Sequence, residues 1–228
     1  MVDPALADRY RAVIAEVEER AREVGRSPSE IATIVVTKFH PASLVRDLAE
    51  LGHRQFGESR HQEASRKIDE LADLDVEWHF IGQIQSNKAR AIAGYADVVH
   101  SLDSESVLAR LAGSGVGAFI QVNLSDDPGR GGVREEELAA FTERVLATDG
   151  VRLLGVMGVA RLGVEPRSEF AHLRELAERI VVPLAPEATG LSMGMSGDFA
   201  DAIAEGATHL RIGTAITGNR PDPAYARQ

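Results

Sequence analysis

Short apolar runs, many of them β-branched, alternate along this chain with longer stretches in which apolar residues recur every three to four positions. The stretch MVDPALADRYRAVIAEVEERAREVG shows the second spacing and stops at Gly25. It predicts an amphipathic N-terminal helix, because this spacing places apolar side chains on one face. The apolar positions of that face are Leu6, Tyr10, Val13, Ile14, Val17 and Val24.

The rest of the chain repeats one unit, in which a short strand pattern is followed by a helix pattern. The predicted strands cover residues 31–36, 54–57, 77–81, 97–101, 117–122, 152–156, 190–192 and 209–212. The predicted helices cover residues 41–51, 60–71, 86–92, 104–111, 134–146, 168–180 and 198–205. This alternation is typical of parallel strands joined by crossover helices.

Eight such strands within 228 residues predict an α/β fold, a single (β/α)8 TIM barrel with an extra N-terminal helix. An open doubly wound sheet is the alternative, but no GxGxxG motif follows a strand. No linker, repeat or low-complexity segment divides the chain. We therefore expect one barrel domain over residues 1–228, with a loosely ordered tail at 221–228.

The composition argues against several classes of partner. A net charge of −10 disfavours nucleic acid and anionic membrane surfaces, which select basic faces. Cysteine is absent, which excludes disulfides and thiolate metal sites, and no HExxH motif indicates a metal site. Neither a signal peptide nor an apolar stretch of membrane-spanning length occurs. We expect a cytoplasmic protein without a bound metal, and a monomer, because no continuous apolar face is evident.

The segment IATIVVTKFHP places Lys38 just after the first predicted strand. Only three of the 25 Lys and Arg residues are lysine, so a lysine at this position is unusual for the chain. Unlike arginine, lysine can lose its proton and form a Schiff base with an aldehyde. Burial at the strand end would lower the pKa of the amine and favour that reaction.

Two loops of small residues follow the last two predicted strands, SMGMSGD at 192–198 and GTAITG at 213–218. Barrels often bind phosphate at this place, through backbone N–H groups and a helix N-terminus. A lysine facing a phosphate site predicts an aldehyde cofactor that carries a phosphate, and pyridoxal 5′-phosphate (PLP) fits. Arg211 would point into the same end of the barrel and keep the pyridine nitrogen unprotonated. The cofactor would then be a weaker electron sink and support fewer reactions.

Several motifs together resemble the pyridoxal phosphate homeostasis protein family, over about residues 5–220. They are Thr37-Lys38, FGES at 56–59, WHFIGQIQSNKAR at 78–90, HSLDS at 100–104, FIQVN at 119–123, SMGMSGDF at 192–199 and RIGTAITGNR at 211–220. The resemblance implies a single alanine-racemase-like barrel that binds PLP and has no established catalytic turnover. Such a protein buffers this vitamin B6 cofactor or delivers it, with PLP-dependent apo-enzymes as recipients, and affects amino-acid and keto-acid balance.

The resemblance also implies roles for individual residues. Lys38 would hold PLP as a Schiff base, and Arg211 would face the pyridine nitrogen. Ser196, with Gly213 and Thr214, would hold the phosphate. The full cofactor-binding set is Lys38, Ser59, His79, Ser196, Arg211, Gly213 and Thr214.

The sequence departs from the family pattern at three places. Ser59 stands where the family commonly has an asparagine near the cofactor ring, so this shorter side chain would act through water. Arg130 lies in the loop after the fifth strand, where the family often has a lysine. Thr217 replaces a usual phenylalanine. None of the three removes the lysine or the phosphate loops.

A PLP-dependent amino-acid racemase is the alternative function. Such an enzyme needs two bases, one on each face of the bound substrate, and the second is typically a tyrosine. Tyr10, Tyr95 and Tyr225 lie in predicted helices, helix ends or the tail rather than at strand ends. His79 is the best remaining base, but we expect a packed, hydrogen-bonded histidine under the cofactor ring.

A barrel that binds another phosphorylated metabolite is a third interpretation, and it would leave Lys38 without a chromophore. Five other histidines are expected at the surface or in packing. They are His40, His53, His61, His100 and His172.

Overall fold

A computed structural model describes residues 2–125, 127 and 129–220 of the chain. The predicted loose tail at 221–228 lies outside these residues. The chain opens with helix α1, Pro4–Glu23. Pro4 suits the first helical position, and the Asp3 carboxylate accepts a hydrogen bond from the backbone N–H of Ala5 at 3.0 Å. The predicted N-terminal helix is thereby confirmed.

Eight parallel strands form a closed barrel in sequence order. Strand β1 pairs with both β2 and β8, and Ile34 lies opposite Arg211 in the closing pair. The predicted TIM barrel is therefore correct, and the open doubly wound sheet is excluded. The strands are β1 Ala32–Val36, β2 Gln55–Glu58, β3 Glu77–Phe80, β4 Val98–Leu102, β5 Val116–Gln121, β6 Val151–Met157, β7 Gly190–Ser192 and β8 His209–Ile212.

Helices follow the strands around the outside of the barrel. They are α2 Ala42–Glu50, α3 His61–Glu70, α4 Ala89–Ala93, α5 Glu105–Leu111, α6 Glu135–Leu146, α7 Pro166–Leu176, α8 Val182–Leu184, α9 Phe199–Ala204 and α10 Thr214–Thr217. The predicted helix at 168–180 is α7 continued by a π-helical turn, Ala177–Val181. The helix predicted from residue 86 begins only at Ala89, and the short α10 was not predicted.

Two groups of apolar side chains build the core. The larger group packs between the strands and the helices and includes Val13 and Val17 of α1. The smaller group consists of Val98, Phe119 and Met157 from three adjacent strands. Helix α1 packs against α9 and α10 at the seam between β8 and β1. Within the described ranges, none of the helices combines the length and hydrophobicity that a bilayer span requires.

Candidate functional site

The carboxyl ends of β1 and β8 bring the predicted lysine and the last predicted loop side by side. Val35 lies opposite Ile212 in the β1–β8 ladder, and a Cβ added to Gly213 would lie 3.6 Å from the Cβ of Val36. Strand β1 ends at Val36, and Lys38 lies two residues later, in a turn. Two predicted site residues from distant parts of the sequence, Lys38 and Gly213, therefore share the same mouth of the barrel.

Lys38 lies in a turn after β1, and its side chain is exposed. The expected burial of this lysine is therefore wrong, because the chain leaves the barrel wall at Thr37, one residue earlier. The next residue, Phe39, has a φ of 69°, the one positive φ of a non-glycine residue in the described ranges. Backbone strain of this kind is concentrated at functional sites.

The loops after β7 and β8 meet at the hydroxyl of Ser196. Its oxygen accepts hydrogen bonds from the backbone N–H groups of Gly213 at 3.3 Å and Ala215 at 3.4 Å. Thr214 is exposed and begins α10 between them. A hydroxyl and backbone amides at the start of a helix are donors of the kind that bind anions, and we call this group the Ser196 cradle. Ser196, Gly213 and Thr214 thus come together as predicted, although their contact with phosphate stays a prediction.

The β7 loop has the shape that this cradle requires because of Gly194. Its φ is 89°, in the left-handed region, and a Cβ at this position would lie 2.6 Å from the Cβ of Ala202 in α9. Only glycine fits such a turn without displacing the helix behind it. The loop therefore turns sharply after β7 and brings Ser196 next to α10.

Arg211 on β8 is a buried cation, 5% exposed. Its guanidinium donates hydrogen bonds to the Ser192 hydroxyl at 2.6 Å and to the carbonyl of Gly158 at 3.0 Å. Both acceptors are neutral, and within the described part of the chain no carboxylate lies within ion-pair distance. Burial lowers the pKa of Arg211 to about 10. The group still carries its charge near neutral pH.

A chain of hydrogen bonds leads from Arg211 through the barrel interior. Ser192 Oγ lies 2.7 Å from His100 Nδ1, and His100 Nε2 lies 2.9 Å from His79 Nδ1. His79 Nε2 is 3.0 Å from Glu77 Oε1, within ion-pair distance but away from the direction of a regular hydrogen bond. His79 is therefore a packed, hydrogen-bonded histidine, as expected, and its contact with a cofactor stays a prediction.

The cationic end of this chain of hydrogen bonds sets the direction of its protons. Arg211 can only donate, so the Ser192 hydroxyl accepts from it and donates to Nδ1 of His100. His100 then carries its proton on Nε2 and donates it to Nδ1 of His79. Burial lowers the pKa of His100 well below its usual value, so His100 is neutral.

The sequence analysis did not find the role of His100. It is fully buried and stacks on the ring of Phe119, with centroids 4.7 Å apart. The sequence predicted a histidine at the surface or in packing, and His100 is indeed packed. The prediction did not include its hydrogen bonds, which link His79 to Arg211 through Ser192. The motif HSLDS contains His100, and this was the available signal.

The three departures from the family pattern lie at or near the same mouth. Ser59 follows β2 and is half-buried, and a Cβ at Gly82 would lie 2.1 Å from its carbonyl oxygen. The ends of β2 and β3 therefore pack backbone to backbone. Arg130 donates a hydrogen bond to a backbone carbonyl in the loop after β6. Thr217 is buried, and its hydroxyl donates to the carbonyl of Gly213 at 3.2 Å.

The tyrosines considered as racemase bases are engaged in packing. The hydroxyl of Tyr10 lies 3.3 Å from Nδ1 of His53, and that of Tyr95 lies 3.3 Å from Nδ1 of His61. Tyr10 is part of α1, and Tyr95 follows α4. Tyr225 lies outside the described residues. Neither described tyrosine lies at a strand end.

The family model of the alanine racemase N-terminal domain matches residues 12–221. The pyridoxal phosphate homeostasis protein of Pseudomonas aeruginosa is 40% identical over 224 residues, which cover 94% of this chain and 96% of the relative. That of Escherichia coli K12 is 36% identical over 230 residues, which cover 94% and 97%. This chain belongs to the pyridoxal phosphate homeostasis protein family. The resemblance stated from the motifs is confirmed.

Solved structures agree with this assignment. PipY of Synechococcus elongatus with PLP bound has a TM-score of 0.78 and 37% identity, over 90% of this chain and 100% of PipY. Alanine racemase of Corynebacterium glutamicum has a TM-score of 0.71 at 15% identity, over 92% of this chain and 61% of the racemase. The second likeness concerns the fold alone and confirms an alanine-racemase-like barrel in this family member.

Proposed function

We propose that this protein binds PLP through a covalent bond to Lys38 and holds the cofactor for delivery, without turnover of a substrate. The observation that carries the proposal is PLP bound in PipY, a protein 37% identical over nearly the whole chain. The lysine turn and the Ser196 cradle at one barrel mouth support it, as does the buried cation on β8.

The residues at this mouth match the three functional groups of PLP. The phosphate needs N–H and O–H donors, which Ser196, Gly213 and Ala215 offer. The aldehyde needs an amine, and the exposed Lys38 offers one. The pyridine nitrogen accepts a hydrogen bond, and Arg211 is a permanent donor near neutral pH. The donor set therefore fits this cofactor.

PLP, when bound, supplies an aldehyde that reacts reversibly with amines. The amine of Lys38 would hold this aldehyde covalently and reversibly. Arg211 would donate a hydrogen bond to the ring nitrogen without giving up its proton. This donor would supply no proton to the ring nitrogen, so the residues at the mouth favour holding the cofactor over chemistry on an amino acid.

The absence of turnover is part of the proposal, and the racemase alternative is not favoured. A racemase needs a second base opposite the lysine. Tyr10 and Tyr95 are engaged with histidines away from the strand ends. His79 is hydrogen-bonded to His100 and lies beside Glu77. Incubation with D- or L-alanine would separate the two functions, because an enzyme interconverts them catalytically and a carrier does not.

The proposal extends to partners and to the state of the protein. We propose apo forms of PLP-dependent enzymes as the recipients, a monomer in solution and a cytoplasmic location. Fluorescence-detected transfer of PLP to a purified apo-enzyme tests the first point. Light scattering of the PLP-loaded protein tests the second.

The direct test of cofactor binding is the near-UV and visible spectrum of the purified protein with PLP, before and after borohydride. The wild-type protein should give an absorption band that reduction fixes covalently, and Lys38→Ala should lose it. Lys88→Ala is the matched control, because Lys88 lies in a different loop, immediately before α4. A wild-type protein without such a band would contradict the proposal and favour another phosphorylated ligand.

A further inference from the structure

Lys67 is a second lysine that contacts the Lys38 turn, and it is buried. Its side chain is only 4% exposed, although it lies among charged residues on α3. Its Nζ donates to the carbonyl oxygen of Thr37 at 2.8 Å and lies 2.5 Å from Oε1 of Glu58. The Glu58 side chain is 1% exposed, so the two form a buried ion pair.

This ion pair holds Thr37, the residue before Lys38. The Thr37 hydroxyl donates to Oε1 of Glu58 at 2.7 Å, while the Thr37 carbonyl accepts from Lys67. The Thr37 N–H donates to the carbonyl of Gly57 at 3.0 Å, which continues the β1–β2 ladder. The hydroxyl, the carbonyl and the amide of Thr37 are therefore all fixed at the point where the chain leaves the barrel.

The residue after Lys38 is held from the same helix. The N–H of Phe39 donates to Oε1 of Glu63, and that oxygen lies 3.4 Å from Nζ of Lys67. The φ of Phe39 is 69°, a conformation that a residue with a side chain adopts only when surrounding contacts impose it. The centroid of its ring also lies 3.9 Å from the guanidinium carbon of Arg220. Lys38 thus stands between two fixed neighbours, while its own side chain is exposed.

We propose that Lys67, Glu58 and Glu63 are positioning residues that hold the turn so that the amine of Lys38 meets the aldehyde of PLP. The proposal rests on the proposed function and deepens it. A purely stabilising role explains the arrangement poorly, because a buried ion pair is often no more stabilising than apolar side chains of similar volume. Its geometric role is specific, since both charged partners contact the backbone or hydroxyl of Thr37.

The test replaces the ion pair by apolar residues, as Lys67→Met with Glu58→Leu in one chain. This replacement avoids leaving one charge buried alone, so the fold should be retained. The Thr37 carbonyl and hydroxyl then lose their partners. Formation of the Lys38-linked absorption band with PLP, followed by stopped flow, should slow by about tenfold or more. Binding of pyridoxine 5′-phosphate, which has an alcohol in place of the aldehyde, should stay unchanged.

A second variant keeps the proposal testable if the double variant does not fold. Glu63→Ala removes the acceptor of the Phe39 N–H, and Glu63 is partly exposed, so its loss disturbs the core less. It should also slow formation of the band and leave pyridoxine phosphate binding unchanged. Arg46→Ala is the control, because Arg46 on α2 pairs with Asp73 at 2.7 Å and 2.9 Å without contact to the turn. It should leave both measurements unchanged.

A wild-type rate in the folded double variant, or in Glu63→Ala if the former does not fold, would overturn the inference. So would an equal loss of band formation and of pyridoxine phosphate binding, because that result indicates damage to the whole pocket. A wild-type protein that forms no band with PLP would overturn the proposed function and the inference together. The spectrum of the wild-type protein alone shows that outcome, so failure of the proposed function is distinguished from failure of the inference.

Discussion

The hydroxyl of Ser192 accepts a hydrogen bond from Arg211 at 2.6 Å and lies 2.7 Å from His100. One serine therefore connects the buried cation of β8 to the histidines of the barrel interior. The contact fixes the rotamer of Arg211 and gives both buried partners a polar neighbour. A guanidinium held in this way needs no rearrangement when a ligand arrives.

Replacement of that serine should destabilise the protein. Ser192→Ala would leave a donor of Arg211 and Nδ1 of His100 without their partner, and we expect the free energy of unfolding to fall by about 1–3 kcal/mol. Urea unfolding monitored by circular dichroism measures the change. Ser106→Ala is the control, because Ser106 is exposed and its hydroxyl contacts the hydroxyl of Ser104 at the start of α5. Equal stability of the two variants would contradict a stabilising role for the hydrogen bonds of Ser192.

Ser196→Ala should weaken PLP binding while leaving the reaction with Lys38 intact. The variant removes the hydroxyl between the two backbone amides of the proposed phosphate cradle. A hydrogen bond to a charged group contributes enough that the Kd of PLP should rise by about tenfold or more. Titration of the absorption band measures the Kd. At saturating PLP the band should reach its wild-type height. Ser29→Ala should bind as the wild type does, because this exposed serine precedes β1 and lies at the opposite, amino-terminal end of the barrel strands.

Buried histidines should make the stability depend on pH. Burial lowers the pKa of His53 and of His209 to about 4, and it also lowers the pKa of His100 well below its usual value. Between about pH 6.5 and about pH 4 the unfolded chain therefore takes up protons that the folded protein does not. The free energy of unfolding should fall as the pH falls through this window, by up to about 1.4 kcal/mol per pH unit for each histidine.

Urea unfolding at several pH values tests this dependence. Burial raises the pKa of Glu58, and this shift acts in the opposite sense. A carboxyl whose pKa is raised by folding makes the protein less stable as the pH rises through its titration. Comparison of wild type with His209→Gln removes this contribution, since Glu58 is common to both. The variant should show a shallower slope below pH 6.5. An identical slope would contradict the titration assigned to His209.

Arg211 should limit the chemistry of the bound cofactor. Arg211→Glu would place a carboxylate beside the proposed position of the ring nitrogen. A carboxylate there favours a proton on the nitrogen, and a protonated ring is a stronger electron sink. Exchange of the Cα proton of alanine in D₂O, followed by NMR, should then rise by about tenfold or more. Arg211→Gln, which holds no proton there, is the matched control. A PLP-binding Glu variant with wild-type exchange would contradict this role.

The sequence predicted the barrel almost completely, with each strand boundary within one residue of the structure. This success has a physical reason, because buried parallel strands are nearly continuous apolar runs and the helices between them have a clear period. Helix α10 was missed because Thr214–Thr217 is too short to show a period.

The polar interior was harder to predict. His100 and Lys67 are fully or almost fully buried, but a buried polar side chain leaves no periodic signal in a sequence. Lys67 lies in the charged stretch SRKIDE, which has the pattern of a solvated helix face. The exposure of Lys38 depends on where β1 ends within a single residue, and sequence patterns do not fix that point. Partners of such residues emerge only from the three-dimensional arrangement.

The pairing of β1 with β8 has a consequence for the newly made chain. Lys38 is synthesised long before Gly213 and Thr214, which follow it much later in the chain. Until β8 inserts beside β1, the reactive amine has no anion cradle beside it. A growing chain would therefore capture little of a scarce and reactive aldehyde. Retention of the cofactor would begin when β8 closes the barrel beside β1, and it would therefore report barrel closure.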